Sequence, residues 1–298
     1  IAIIDPADKH YYQPAWTLVG SGVFDIKKTE RNEADVMPKG VKWIKQKVTG
    51  LTPEANTVQL GNGEELGYDY LVVAPGIQIN WQEIKGLKET LGKNNVCSNY
   101  SFEHAPYTFE CFKNFKGGKA ISHNPQTQVK CGVLDKADIQ YWSGAAKLFS
   151  VPKYEKTLLK VCERADIKLN FMVQLVEIDG PGKKAKFIGI GDTNKDKEVW
   201  VEFDMIHVTP PQSAPDFIRT SSLANAAGWV DVDKHSLQHV KYANVFSLGD
   251  ASGLPISKTG AAIRKQAPVV VENLLAAINH QPLTGNYNGY TSCPLVTG

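Results

Sequence analysis

Residues 244–250 read Asn-Val-Phe-Ser-Leu-Gly-Asp (NVFSLGD), and Ser-Lys-Thr-Gly at 257–260 leads into a long helical pattern at 259–279. An apolar strand ending in Gly249 lets the backbone approach a flat ligand, and Asp250 supplies an acceptor where a ribityl hydroxyl donates. The helix start offers free N–H groups and a positive dipole end, which stabilise negative charge on a reduced isoalloxazine ring. The stretch predicts part of a flavin site, although the same sequence of elements also arises by chance in α/β proteins.

A carboxylate near the start of the chain agrees with this prediction. The apolar run Ile1–Ile4 is followed by Asp5, the pattern of a buried parallel strand and its end. In a dinucleotide-binding βαβ unit, an acid at the end of the second strand accepts hydrogen bonds from a ribose. The glycine fingerprint of that unit lies about 20 residues upstream, so it would precede residue 1. The alternative is that Asp5 only ends a strand.

A second buried strand, Tyr70–Ala74, is broken by Pro75 and Gly76. A glycine at this point again permits close approach of the backbone to a flat ligand. Taken alone, the pattern is that of a strand and a turn. In this order along the chain, however, Asp5, Gly76 and the Gly249-Asp250 pair together favour a flavin site.

The remaining pattern predicts an α/β protein, because strands alternate with helices and hairpins are inserted between them. We expect a half-buried strand at 41–48, a hairpin at 57–68 and a helix at 153–164. Further strands are predicted at 119–122, 139–142, 169–173, 184–190, 198–203 and 204–209.

Composition excludes several classes of protein. The chain has 298 residues, of which 42% are hydrophobic and 21% charged, and this balance excludes a disordered or fibrous chain. Its net charge of +2 gives no general basic field for nucleic acid. The sequence contains no apolar run of about 18 residues and no His/Cys spacing typical of a metal site. We therefore expect neither a membrane-spanning helix nor a bound metal.

Five cysteines are too few and too scattered for a disulfide scaffold. Cys131 follows a predicted strand and lies beside Lys130, whose charge favours the thiolate. Cys293 lies in the sequence Thr-Ser-Cys-Pro. Each of the two, read alone, is also consistent with an ordinary thiol.

Seven segments together resemble one family, the eukaryotic-type sulfide:quinone oxidoreductases. They are Tyr11–Gly22, Tyr68–Gln78, Val129–Gly132, His207–Pro211, Ala226–Lys234, Asn244–Thr259 and Tyr290–Gly298. The resemblance covers nearly the whole chain, and its most specific parts are the Tyr-Gln-Pro-Ala-Trp block at 12–16 and the final segment. Members of this family are flavoproteins with the two-dinucleotide-binding-domain fold of the disulfide reductases.

The resemblance implies two Rossmann-like domains. An FAD-binding domain would comprise residues 1–100 and 213–298, and a second, NAD(P)-like domain would comprise residues 101–212. It also implies that the chain is truncated at both ends, without the FAD phosphate loop and the membrane-attachment region of the family. Only seven residues separate Cys131 from the strand predicted to begin at Ile139. Because a parallel crossover needs a dozen or more, we expect a segment near 132–138 to be missing.

The resemblance also implies the site. Cys131 and Cys293 match the two redox cysteines. The matching cofactor-binding residues are Asp5 (ribose), Gln13 (FAD), Val48 (adenine, through its backbone), Asp250 (ribityl chain) and Lys258 (flavin and quinone end). Gly76 and Gly249 complete the predicted cofactor site because they permit close approach of the backbone.

The implied activity is the FAD-dependent oxidation of hydrogen sulfide to a cysteine persulfide, with ubiquinone as electron acceptor. The sulfur would pass to an acceptor such as glutathione or sulfite, at the matrix side of the mitochondrial inner membrane. One alternative is an NADH:quinone or disulfide reductase of the same fold, although no intact nicotinamide fingerprint is found around 119–138. The other alternative is a non-catalytic remnant of the flavin fold that serves in binding.

Overall fold

The computed structural model describes residues 1–124 and 137–292, and it has a mixed α/β fold. The α-helices are α1 (Trp16–Gly20), α2 (Glu33–Val36), α3 (Leu87–Thr90), α4 (Ala105–Asn114), α5 (Pro152–Arg164), α6 (Asp216–Arg219) and α7 (Gly260–Ile278). Short 3-10 helices occur at Gln13–Ala15, Ile26–Thr29, Trp81–Glu83 and Gly249–Ala251.

The strands alternate with these helices along the chain, as the sequence pattern predicts. They are β1 (Ala2–Ile4), β2 (Lys9–Tyr11), β3 (Glu30–Asn32), β4 (Lys42–Ile44), β5 (Val48–Thr52), β6 (Thr57–Leu60), β7 (Glu65–Gly67), β8 (Leu71–Val73), β9 (Gln78–Ile79), β10 (Val96–Cys97), β11 (Gly118–Asn124), β12 (Ala137–Ser143), β13 (Lys168–Phe171), β14 (Val173–Asp179), β15 (Lys184–Gly189), β16 (Glu198–Glu202), β17 (Met205–Val208), β18 (Gln212–Ser213) and β19 (Val245–Ser247).

The chain divides into two compact units, each built from separate stretches of sequence. The first unit comprises residues 1–10 and 32–78 together with the stretch from Gln212 onward. The second unit comprises residues 11–31 and 79–211.

The first unit contains two pairs of parallel strands, β1 with β4 and β8 with β19. Its core is formed by fully buried apolar side chains, among which Phe246 comes from β19 and Val270 from α7. The predicted hairpin at 57–68 is confirmed, because β6 and β7 pair antiparallel.

The prediction of a single strand over residues 41–48 is wrong. β4 ends at Ile44 and β5 begins at Val48. Between them the amide of Gln46 donates to the carbonyl of Ile44 (2.8 Å). This short-range hydrogen bond is that of a γ-turn, so the chain changes direction inside what reads as one alternating run.

The second unit is built around a parallel sheet in the order β10-β17-β11-β12-β13. One face of this sheet is apolar, and Trp142 stacks there on Phe187 from an antiparallel sheet of β14, β15 and β16 (ring centroids 4.3 Å apart). The strands predicted at 119–122 and 139–142 are confirmed as parts of β11 and β12. The expected missing segment near 132–138 lies outside the described residues.

Helix α4 has no counterpart in the sequence prediction. Its residues Ala-Pro-Tyr-Thr-Phe-Glu-Cys-Phe-Lys-Asn mix aromatic, polar and sulfur side chains. Ala105, Thr108 and Cys111 are buried, whereas Phe109 and Phe112 remain exposed. Since the apolar residues do not fall on one face, the 3.6-residue period that reveals a helix is blurred.

Two histidines, the buried His123 and the half-buried His207, lie on the sheet of the second unit. Burial lowers the pKa of His207 to about 4, and burial together with the nearby His207 lowers the pKa of His123 to about 3. Neither ring nitrogen of His123 has a hydrogen-bond partner among the described residues. Both side chains are therefore neutral in the native protein over most of the acidic range.

This arrangement predicts a loss of stability in acid. Below pH 6.5 the unfolded chain binds protons on these imidazoles and the native state does not, so the free energy of unfolding falls with pH down to about 4. We expect this decline to be less steep in His123→Leu, by up to ~1.4 kcal/mol per pH unit. Urea unfolding at a series of pH values measures it. An equally large change in the exposed-site control His280→Leu would contradict the explanation.

Candidate functional site

The two glycines predicted to approach a ligand lie at one end of one strand pair. β8 and β19 run parallel, with Val73 opposite Ser247. The buried Ser247 hydroxyl donates to the carbonyl of Val73 (2.7 Å) and ties the two strands together where they end. The loops at Gly76 and Gly249 therefore both leave from the carboxyl edge of this pair, the edge at which α/β proteins bind ligands.

Gly249 occupies a conformation that favours glycine. Its φ is +73°, and a Cβ at this position would lie 3.0 Å from Cδ1 of Ile263. Its amide donates to Oε1 of the buried Gln266 on α7 (2.8 Å). The strand end is thereby held directly against the first turns of the helix. Gly76 also has a positive φ (+78°), but the space around it is open.

Asp250 presents a carboxylate with unused acceptor capacity. It lies in the 3-10 turn Gly249–Ala251 and is half-buried. Burial raises the pKa of the Asp250 carboxyl, and the charge of Lys258 acts in the opposite direction. Within the described part of the chain the carboxylate receives no hydrogen bond, so its oxygens are available to the hydroxyls of a ligand.

Lys258 supplies a fixed positive charge beside this carboxylate. Its Nζ donates to the main-chain carbonyls of Asp250 (2.5 Å) and Ser252 (3.0 Å). The same atom lies 3.7 Å from the ring centroid of Trp229. The side chain as a whole is exposed, but its ammonium group is enclosed, and burial lowers the pKa of Lys258 to about 8 while Asp250 opposes the change.

The start of α7 completes the site. Thr259 caps the helix, and its Oγ1 accepts from the amide of Ala262 (3.1 Å). The Thr291 hydroxyl donates to the carbonyl of Ser257 (3.0 Å) and lies 3.0 Å from Oγ1 of Thr259. The chain two residues before Cys293 is thus held against the N-terminus of a 19-residue helix.

These residues surround a small cleft, which we call the Gly249 cleft. It is lined by Gly249, Asp250, Ser252, Leu254, Ile256, Lys258, Thr259, Ala262 and Gln266.

The other predicted cofactor residues lie elsewhere. In the first unit, Asp5 follows β1, and its Oδ1 accepts from the amide of Ala7 (2.8 Å). Val48 begins β5 in the same unit. Gln13 is half-buried in a 3-10 helix of the second unit. Cys131 and Cys293 lie outside the described residues.

Sequence reasoning missed Gln266, Trp229 and Thr291. Gln266 follows the N-cap Thr259 by two helical turns, so its position on the buried face was accessible from the helix period. Trp229 and Thr291 reach the site only through tertiary contacts, so no local sequence pattern indicates that they belong to it.

Among the described residues, no three His, Cys, Asp or Glu side chains lie close enough to hold a metal ion. No helix in the described ranges is long and apolar enough to cross a membrane. Cys97, Cys111 and Cys162 are free and buried.

Comparison with known proteins identifies the family. Over its full length the chain is 47% identical to the mitochondrial sulfide:quinone oxidoreductase of Dictyostelium discoideum and covers 69% of it. It is 38% identical to the mitochondrial sulfide:quinone oxidoreductase of Mus musculus and covers 70% of that protein. This chain belongs to the sulfide:quinone oxidoreductase family. No protein-family model matches it.

Solved structures with a similar fold include a sulfide:quinone oxidoreductase. The enzyme of Aquifex aeolicus matches with a TM-score of 0.76 at 21% identity, over 95% of this chain and 72% of that one. A chain in the mitochondrial ATP synthase structure of Tetrahymena thermophila matches with a TM-score of 0.88 at 22% identity, over all of this chain and 77% of that one. At such identities the likeness concerns the fold alone, and it confirms the predicted α/β class.

The alignment also shows a difference in length. The match to the Dictyostelium sulfide:quinone oxidoreductase extends over 320 residues, whereas this chain has 298. The relative therefore carries residues inside the matched region that this chain lacks. Such a difference is of the kind expected from a missing segment, but it does not locate one.

The Gly249 turn gives a testable prediction about stability. In Gly249→Ala the new Cβ is strained both by the positive φ and by a close contact with Ile263. In Gly63→Ala, in the hairpin turn, the φ is also positive (+88°), but no atom lies within 4 Å of the new Cβ. Urea unfolding is expected to show a loss of about 1–2 kcal/mol for Gly63→Ala. The loss for Gly249→Ala should be larger by about 1 kcal/mol. Equal losses would show that the packing of Gly249 against α7 is unimportant.

Proposed function

We propose that this protein oxidises hydrogen sulfide with FAD as cofactor and passes the electrons to a quinone. The observation that carries the proposal is the 47% identity over the full chain to a sulfide:quinone oxidoreductase. The Gly249 cleft supports it, because it combines a glycine turn, a helix N-terminus and a carboxylate that accepts no hydrogen bond within the described ranges.

The residues of the first unit fit a flavin nucleotide. In our proposal Asp250 accepts from ribityl hydroxyls, and Gly249 lets α7 pack closely against the strand end that carries this carboxylate. The N-terminal turn of α7 and the Lys258 ammonium supply positive charge, which stabilises an anionic reduced ring. Asp5 and Val48 are assigned to the ribose and the adenine, and Gln13 to a further FAD contact. When bound, FAD accepts two electrons at a time and releases them to a quinone.

Sulfur chemistry is assigned to Cys131 and Cys293. Hydrosulfide attacks one sulfur of a Cys131–Cys293 disulfide, a good electrophile for a soft anion. A new sulfur–sulfur bond forms as the disulfide bond breaks, so one cysteine becomes a persulfide and the other leaves as a thiolate. Lys130, next to Cys131 in the sequence, favours the thiolate.

Lys258 has a second role in this proposal, as a holder of a proton. With a pKa of about 8, its ammonium is protonated at neutral pH but gives up the proton more readily than an ordinary lysine. Reduction of a quinone to a quinol takes up two protons. Nζ of Lys258 is therefore a suitable proton donor on the quinone side.

Location and acceptors follow from the family. The curated relatives are named mitochondrial proteins, and we assign this protein to the mitochondrion. We place it at the matrix surface of the inner membrane, where ubiquinone is available. Glutathione or sulfite is the proposed acceptor of the persulfide sulfur.

Anaerobic titration of the flavin-loaded protein with sulfide tests the function. We expect sulfide to bleach the visible absorbance of the flavin and decylubiquinone to restore it. Cys131→Ser and Cys293→Ser should each abolish the bleaching, because a single thiol cannot offer a disulfide. Cys162→Ser is the matched control, since this thiol is buried on α5.

The same titration separates the alternatives. Bleaching by NADH but not by sulfide would instead indicate an NADH-dependent reductase of the same fold. A purified protein that binds no flavin would indicate a non-catalytic remnant. Bleaching by sulfide in both cysteine variants would contradict the assigned roles of Cys131 and Cys293.

A further inference from the structure

Among the described residues, the acceptors of the hydrogen bonds from the Lys258 ammonium are neutral groups. Two main-chain carbonyls accept from it, at 2.5 and 3.0 Å, and the face of Trp229 lies 3.7 Å away. Asp250 and Ser252, which provide these carbonyls, both line the Gly249 cleft. Trp229 comes from a different part of the first unit, and its indole ring lies over the ammonium.

The position of Trp229 is itself fixed by its surroundings. Its amide donates to Oδ1 of Asn225 (3.1 Å), and its carbonyl accepts from the amide of Asn225 (2.7 Å). A Cβ on Gly253 would lie 2.5 Å from Nδ2 of Asn225 and 3.5 Å from Cβ of Trp229. The absence of a side chain at 253 thus lets the Asn225–Trp229 turn pack directly on the strand-to-helix loop that carries Lys258.

We propose that Trp229 is a positioning residue, which holds the Lys258 ammonium at the mouth of the Gly249 cleft through the face of its indole ring. An aromatic face attracts a cation within about 6 Å of its centroid, and 3.7 Å is well inside that range. The charge is thereby kept beside Asp250 without forming an ion pair that would neutralise it. This inference rests on the proposed function, since Lys258 acts there as the proton holder on the quinone side.

An alternative explanation is that Trp229 only fills space beside the loop. The two explanations differ in what a leucine would do at this position. Leucine keeps apolar bulk but lacks the π face, so in the positioning explanation the charged form of Lys258 is destabilised and its titration moves to lower pH. In the space-filling explanation the titration of Lys258 stays where it is.

The first measurement uses the protein without flavin. Lysines are labelled with ¹³C at Cε during expression, and the Lys258 resonance is assigned by its loss in Lys258→Arg. In the wild type we expect an Hε signal displaced upfield by the ring current of Trp229. In Trp229→Leu the displacement should vanish and the midpoint should fall by about half to one pH unit. Trp229→Phe should retain most of both effects.

Trp200→Leu is the matched control. Trp200 is an exposed residue of the second unit, and Lys186 lies 5.9 Å from its ring centroid. Its substitution should leave the Lys258 signal unchanged. If the wild-type protein shows no upfield-displaced Lys258 resonance, the proposal is overturned whether or not Trp229→Leu folds.

The second measurement uses the flavin-loaded protein and follows reoxidation by decylubiquinone after reduction by sulfide. In Trp229→Leu the alkaline limb of the pH–rate profile for reoxidation should move down by the same half to one unit. An unmoved profile together with an unmoved Lys258 titration would overturn the positioning role. Failure of sulfide to bleach the wild-type flavin would overturn the proposed function and leave the first measurement as the test of Trp229.

Discussion

The hydrogen bond from the Gly249 amide to the Gln266 side chain is the constraint on which the site depends. It joins the end of β19 to α7 at 2.8 Å, in a turn whose positive φ and close approach to Ile263 favour glycine. A buried amide left without this partner would cost ~1–3 kcal/mol. With the turn fixed, Asp250 is directed into the cleft, and the loop that follows brings Lys258 back over the same turn.

The electrostatics of the cleft follow from this geometry. Burial disfavours both charges, raising the pKa of Asp250 and lowering that of Lys258, while each charge partly offsets the effect on the other. The lysine is satisfied by carbonyls and by Trp229, and no hydrogen bond to the Asp250 carboxylate occurs among the described residues. One ligand can therefore contact both groups, with its hydroxyls donating to the Asp250 carboxylate and a negatively charged ring lying near the Lys258 ammonium. This combination suits a flavin better than a simple anion, which the carboxylate would repel.

Much of this could be predicted from sequence, for reasons that are local. The strand, Gly249, Asp250 and the helix cap Thr259 follow one another within residues 244–260. Their type and order can therefore be read from the sequence without tertiary information. The γ-turn at 44–46 was not predictable, because alternation continued through it. Trp229 and Thr291 depend on contacts between distant elements, which no local pattern in a single sequence encodes. The roles of Cys131 and Cys293 came from family resemblance, since neither sequence context distinguishes them from ordinary thiols.

The central claim is that the Asp250 carboxylate holds the flavin. The most direct test is the dissociation constant of FAD, measured by quenching of flavin fluorescence, for Asp250→Ala against Asp231→Ala, a half-buried acid of the same unit. Loss of hydrogen bonds to a charged group should weaken binding by Asp250→Ala at least about tenfold, with Asp231→Ala close to the wild type. Equal affinities for Asp250→Ala and the wild type would contradict the account.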